Sequence, residues 1–241
     1  PGSFLDRQVF PPLPMLEGMP LLATMVANPN HIGCHTLGSS EPAFAGTHAL
    51  EREVVGLCAE GLMGAEPDSV DGYVASGGTE SNLQALWTFR NALRDRGVPV
   101  ERIGILCSED THYSVAKGAD LLGLPLFRVP VDPTTRQMTE LHQVAARARA
   151  QGLTWMLVVL NLGTTMFGSV DRPEPVLAAL EGAGLQALVH VDAAFGGFVY
   201  PLTTDNPLDF ANPAVTSITL DAHKMLQAPY GTGIHLIRKG W

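Results

Sequence analysis

The sequence predicts an α/β domain with a mostly parallel sheet covered by helices on both faces. Three observations predict it. Strand-like and helical patterns alternate from about residue 49 onward, as in chains built of βαβ units. The strand-like runs are almost continuously apolar, as strands buried on both faces are. The motifs that carry chemistry follow the ends of those runs, and open α/β sheets bind ligands off the carboxyl ends of their strands.

Residues 1–48 contain Pro11-Pro12, Asn28-Pro-Asn30 and Gly38-Ser-Ser40. They are irregular but too apolar for a disordered tail, so an arm packed on the core or on a partner subunit is expected. Residues 49–241 form the large domain. Thr47 is placed to cap a first helix in which Leu50, Val54, Leu57, Cys58 and Leu62 recur at helical spacing. Strands are expected at Gly72–Ala75, Ile103–Cys107, Leu126–Val129, Trp155–Leu160, Ala187–Val191, Ser217–Leu220 and Gly233–Ile237. Helices are expected at Glu80–Asp95, Tyr113–Leu122, Met138–Ala150 and Pro173–Gly182, the last with proline in its first turn. Residues 152–170 carry no charge over 19 positions, but Asn161, Thr164 and Thr165 interrupt them. They read as a buried strand and a polar loop rather than a membrane span.

Composition narrows the function. The net charge is -9 and no basic run occurs, which argues against a nucleic-acid partner. Charged residues are only 16% of the 241, where about a quarter is usual, so part of the surface is expected to be buried against another chain. Cys34, Cys58 and Cys107 show no paired spacing, which suits a reducing, cytoplasmic compartment. His31, Cys34 and His35 lack a second pair of ligands, so no metal site is expected.

The chemistry-bearing motifs follow strand ends in order. Ser76-Gly-Gly-Thr-Glu-Ser-Asn82 opens a helix, where free N–H groups suit a phosphate, although a Gly-Gly turn capped by Thr79 explains it equally well. His112 follows the strand ending at Cys107. Its imidazole suits stacking on a flat ring, against an alternative in which Asp110 or Thr111 caps the next helix and His112 is merely exposed. Gly163-Thr-Thr165 offers hydroxyls to a ring oxygen, or ordinary turn chemistry. Asp192 ends the strand Ala187–Val191 and needs a partner at that depth. A protonated pyridine nitrogen would supply one, and Ala193 and Ala194 leave room for a ring. Lys224, one of three lysines, follows the next strand and is placed to form an imine. An Asp and a Lys so placed are what a pyridoxal 5'-phosphate enzyme needs.

As a set, these motifs resemble the large domain of the group II pyridoxal phosphate-dependent amino-acid decarboxylases, which act on histidine, aromatic amino acids, glutamate and aspartate. The likeness runs from about Asn28 to about Ile237. It implies the aspartate aminotransferase-like fold type I and the conversion of an L-amino acid to its amine and carbon dioxide. Lys224 matches the internal-aldimine lysine, Asp192 the partner of the pyridine nitrogen and His112 the ring-stacking histidine. Ala194 would pack on the opposite ring face. Gly78 and Thr79 match the phosphate loop, with His223 beside the phosphate, and Thr165 matches the hydroxyl near the ring oxygen. His31, Ile32, Cys34 and His35 fall where the family lines its substrate pocket. The likeness also implies a homodimer.

Two departures from the family stand out. The chain ends 17 residues after Lys224, so the mobile catalytic loop and small C-terminal domain are expected to be absent from it. Asp221 stands where many members carry a neutral residue near the phosphate; like charges repel there, so its backbone, or a local cap role, is expected to matter more than its carboxylate. Another lyase on the same scaffold and a catalytically incomplete fragment are the competing readings.

Overall fold

The computed structural model describes residues 45–203 and 208–241. Most of the expected arm, and with it His31, Ile32, Cys34 and His35, lies outside the described residues. Helix α1 (Ala45–Gly56) begins before Thr47, which therefore lies within the helix instead of capping it, and continues into a wider π-turn at Leu57–Leu62. Alternation then proceeds as β1 (Val70–Ala75), α2 (Gly78–Asp95), β2 (Ile103–Ser108), α3 (Tyr113–Leu122), β3 (Leu126–Val129), α4 (Leu141–Ala150), β4 (Trp155–Asn161), α5 (Pro173–Gly182), β5 (Gln186–Ala193), β6 (Val215–Asp221) and β7 (Gly233–Arg238).

Helix α4 starts later than the expected Met138. Met138 forms an antiparallel bridge with Val131, and Glu140 adopts φ 54°. A left-handed residue cannot lie inside a right-handed helix, so the helix begins at Leu141.

The described strands form one sheet in the order β1-β7-β6-β5-β4-β2-β3. The pairs β2–β3, β2–β4, β4–β5 and β5–β6 are parallel, whereas β7 runs antiparallel to both β6 and β1. The segment 222–232 joins β6 to β7 with no helix in it, and without a long crossover the next strand must reverse. Strand alternation sorts the core into two layers. Ile105, Leu157 and Val159 pack with Leu86, Phe89 and Leu93 of α2 and Val115 of α3. Leu106, Val158 and Leu160 pack with Val144 and Ala148 of α4 and Val176 and Leu180 of α5.

A buried polar seam interrupts the apolar sheet. His190, Asp192, Ser217, Thr219, Asp221 and His235 are all buried. The register sets Thr219 between Asp192 and His235, so the seam crosses three strands. It leads directly to the ligand-binding edge.

Candidate active site

Register brings the strand ends together. Gly233 pairs with both Ala75 and Asp221, and Asn161 pairs with Asp192. The carboxyl ends of β1, β4, β5 and β6 therefore share one edge, which the reversed β7 enters by its start. A cavity of about 490 Å³ opens there, lined by Gly78, Thr79, His112, Thr165, Asp192, Ala194, His223 and Lys224. Thus every described residue expected to touch a cofactor faces one space.

At the β1 end, helix α2 starts without a side-chain cap on its N-cap residue, Gly77, whose φ is 146°. Thr79 lies inside the helix and is not its cap. Glu80 reaches back instead: its Oε2 accepts from Ser76 N–H (3.0 Å) and its Oε1 from the Tyr73 hydroxyl. The first-turn N–H groups thus remain available to an anion. A Cβ on Gly78 would stand 2.8 Å from Asp221 Oδ2 and 3.1 Å from Ala194 Cβ. Only glycine lets the helix start approach the other two strand ends so closely.

At the β5 end, Asp192 is already held from two sides. Asn82 Nδ2 donates to its Oδ2 (2.8 Å), and Ala194 N–H donates to its Oδ1 (3.1 Å). Below it His190 is fully buried, its Nδ1 2.8 Å from Ser217 Oγ and its Nε2 3.0 Å from Asn82 Oδ1. Desolvation, helped by nearby His235, pushes the His190 pKa down to about 3. The ring is therefore neutral.

At the β6 end, Lys224 Nζ stands 3.1 Å from Asp221 Oδ2. The Asp221 carbonyl accepts the Lys224 N–H (3.1 Å), in keeping with a backbone role, and its carboxylate is engaged as well. Among the described residues, Asp221 Oδ1 and His223 Nδ1 are buried with no hydrogen-bond partner. Buried polar atoms left unsatisfied are costly.

His112 is itself the N-cap of α3, in place of Asp110 or Thr111. Its Nδ1 accepts from Ser114 N–H (3.3 Å) and lies 2.9 Å from Ser114 Oγ. Capping and cavity lining are thus compatible, because the cap uses one ring nitrogen. Asn161 Nδ2 ties Thr111 (2.9 Å) to Asp171 (2.7 Å), joining the turn before His112 to the loop that carries Thr165. Sequence reasoning assigned nothing to Asn82 or Asn161. The available signals were the position of Asn82 one helical turn after Gly78 and that of Asn161 at a strand end.

The chain is similar to several known proteins. A family model described as the pyridoxal-dependent decarboxylase conserved domain matches residues 12–240. A tryptophan decarboxylase of Clostridium sporogenes is 45% identical over 244 residues, covering 99% of this chain and 58% of that protein. A probable L-aspartate decarboxylase of Halobacterium salinarum is 40% identical over 188 residues, covering 78% of this chain and 48% of its own. The chain therefore spans about half of these relatives' length. L-methionine decarboxylase from a Streptomyces species superposes with a TM-score of 0.75 over 90% of this chain and 61% of its own at 23% identity, which supports the fold alone.

Proposed function

The chain belongs to the pyridoxal-dependent decarboxylase family, and on that premise we propose that it is the cofactor-binding part of an enzyme that converts an L-amino acid to its amine and carbon dioxide. The observation that carries this reading is the meeting of Asp192 and Lys224 in one cavity from neighbouring strand ends.

The site fits pyridoxal phosphate on its own features. The uncapped start of α2 and the lack of space for a Cβ at Gly78 make a cradle for a phosphate. Among the described residues His223 Nδ1 is buried without a hydrogen-bond partner and is free to meet a ligand at the adjoining wall, whereas Asp221 Oδ1, also unpartnered, can only accept. Asp192 spends one lone pair per oxygen on protein donors and keeps others for a ring N–H. When bound, the cofactor supplies a conjugated ring that accepts the electron pair left as carbon dioxide departs. Lys224 would supply the amine for the cofactor's carbonyl carbon, and Asp221 holds that amine at the β6 end. Asp192 would hold a proton on a ring nitrogen. His112, with Nδ1 engaged by Ser114, has Nε2 left and would pack against a flat ring. Ala194 and Thr165, in the same cavity, would line the ring's surroundings.

An aromatic L-amino acid is the first substrate to test, because the tryptophan decarboxylase matches nearly the whole chain at 45% identity. A homodimer is supported by Tyr113, Met166 and Tyr230, which line the cavity yet are 67%, 82% and 94% exposed in the single chain. Such apolar exposure beside a site suits cover by another subunit. No helix among the described residues is long and apolar enough to cross a membrane. The buried free thiols Cys58 and Cys107, pushed up to about 11 by burial, suit a reducing cytoplasm.

The test is direct. Purified full-length enzyme given excess pyridoxal phosphate should develop a visible absorbance band that Lys224→Ala abolishes, and should release carbon dioxide and tryptamine from L-tryptophan. Absence of the band in the parent enzyme would overturn the reading. A band with amino-acid cleavage but no carbon dioxide would favour another lyase.

A further inference from the structure

Asn82 sits one turn into α2, is 1% exposed and spends its whole amide on three partners. Nδ2 donates to Asp192 Oδ2 (2.8 Å) and to Ser114 Oγ (3.0 Å), and Oδ1 lies 3.0 Å from His190 Nε2. The orientation is forced, because a carboxylate only accepts and must face the NH₂ group. His190, neutral through burial, then donates from Nε2 to Asn82 Oδ1 and accepts the Ser217 hydroxyl at Nδ1. Ser114 Oγ accepts from Asn82, so its own proton is free for His112 Nδ1, at 2.9 Å. The Ser114 N–H turns to the same nitrogen. One side chain therefore spans the two strand ends that present Asp192 and His112.

We propose that Asn82 is the positioning residue that ties Asp192 and His112 into a single unit, fixing which atoms of each remain for the cofactor. This rests on the reading that the cavity holds pyridoxal phosphate. The titratable groups around the unit are His190 and Asp192 of β5, His112 at the start of α3, and Glu80, Asp110, Tyr113, Asp221, His223, Lys224 and Tyr230 around the cavity, with His235 of β7 acting on His190.

The experiment uses the full-length enzyme loaded with pyridoxal phosphate. Asn82→Leu keeps the volume and removes every hydrogen bond; Asn82→Asp replaces the donor with a second carboxylate. For Asn82→Leu, kcat should fall about 10- to 100-fold, the range for leaving buried polar partners unsatisfied, with KM changed less. The pH midpoint of the bound cofactor's absorbance should move upward in both variants and further in Asn82→Asp, because lost donors and an added like charge both disfavour a carboxylate. A merely structural role would lower the melting temperature and leave that midpoint in place. Variants that fold, bind cofactor and keep the parental kcat and midpoint would overturn the proposal. Should neither fold, Ser114→Ala decides: it cuts only the His112 arm, so kcat should fall about fivefold with the midpoint unmoved. Parental kcat in Ser114→Ala would break the proposed link. A parent enzyme without a Lys224-dependent band would overturn the cofactor reading itself, which is a different result.

Discussion

The β5 and β6 ends of the site face the same cavity but are finished to different degrees. At β5, Asp192 has Asn82 and Ala194 as donors, and His190 beneath it is neutral and hydrogen-bonded at both nitrogens. At β6, Asp221 and Lys224 hold each other at 3.1 Å, while Asp221 Oδ1 and His223 Nδ1 have no hydrogen-bond partner among the described residues. Both ends carry a buried carboxylate at a strand terminus. One is set in a closed network before any ligand arrives; the other is left open, with its lysine in reach and partly exposed. Preorganisation at one end and incompleteness at the other suit a site where the ring nitrogen must meet a fixed acceptor while the amine must change partners.

The sharpest way to break this contrast is to remove each carboxylate in turn. Asp192→Ala removes the fixed acceptor and should lower kcat by about a hundred- to a thousandfold, the scale of removing one partner of a buried charge pair. Asp221→Asn keeps an acceptor of the same shape facing Lys224 and should keep kcat within about tenfold, the scale of one net hydrogen bond, while cofactor capture by the apo protein becomes faster because the lysine is no longer detained. Steady-state kinetics and stopped-flow absorbance measure the two. Equal losses in both variants would erase the difference between the ends.

Gly78→Ala acts where the two ends come closest. Its Cβ would meet Asp221 Oδ2 and Ala194 Cβ at 2.8 and 3.1 Å. Overpacking of this kind costs about 1–3 kcal/mol, so cofactor affinity in an equilibrium titration should weaken by about ten- to a hundredfold. The fold should survive, since the clash lies at the sheet's edge.

The smallest expected effect is a control outside the contrast. Burial raises the Asp171 carboxyl from 3.8 to about 6, against the lowering influence of the Asn161 donors. A raised acid adds stability in full below about pH 4 and loses it as pH rises through about 6, because the folded state must then ionise a buried group. Asp171→Asn, whose carbonyl can still accept both Asn161 donors, lacks this dependence. The melting temperature of the parent relative to the variant should therefore fall between pH 4 and pH 6 and level off above, by the equivalent of about 3 kcal/mol at most. Activity at neutral pH should change little.

Much of the fold was legible from pattern alone. The strands Leu126–Val129 and the helices Tyr113–Leu122 and Pro173–Gly182 match expectation residue for residue, because their apolar periodicity and turn residues agree. The start of α4 was not legible, since the Val131–Met138 bridge is a contact between segments that helical spacing does not register. The site followed the same division. Lys224, Asp192 and the Gly77-Gly78 turn could be singled out because few residue types can form an imine, hold a ring nitrogen or open a phosphate cradle. Asn82 could not, because an amide inside a helix carries no chemistry until something stands opposite it; the Asp221 charge stood out in the sequence, but its contact with Lys224 did not.

What the sequence determined by itself was the alternation of elements, the parallel sheet and the residue types waiting at its carboxyl edge. Those follow from local propensity and periodicity, which act over a few residues. Only the tertiary structure decided which end of the site is closed and which is open. Asn82 and Asp192 are 110 positions apart in sequence yet 2.8 Å apart across α2 and β5. A hydrogen bond depends on distance and angle, and those are settled by packing.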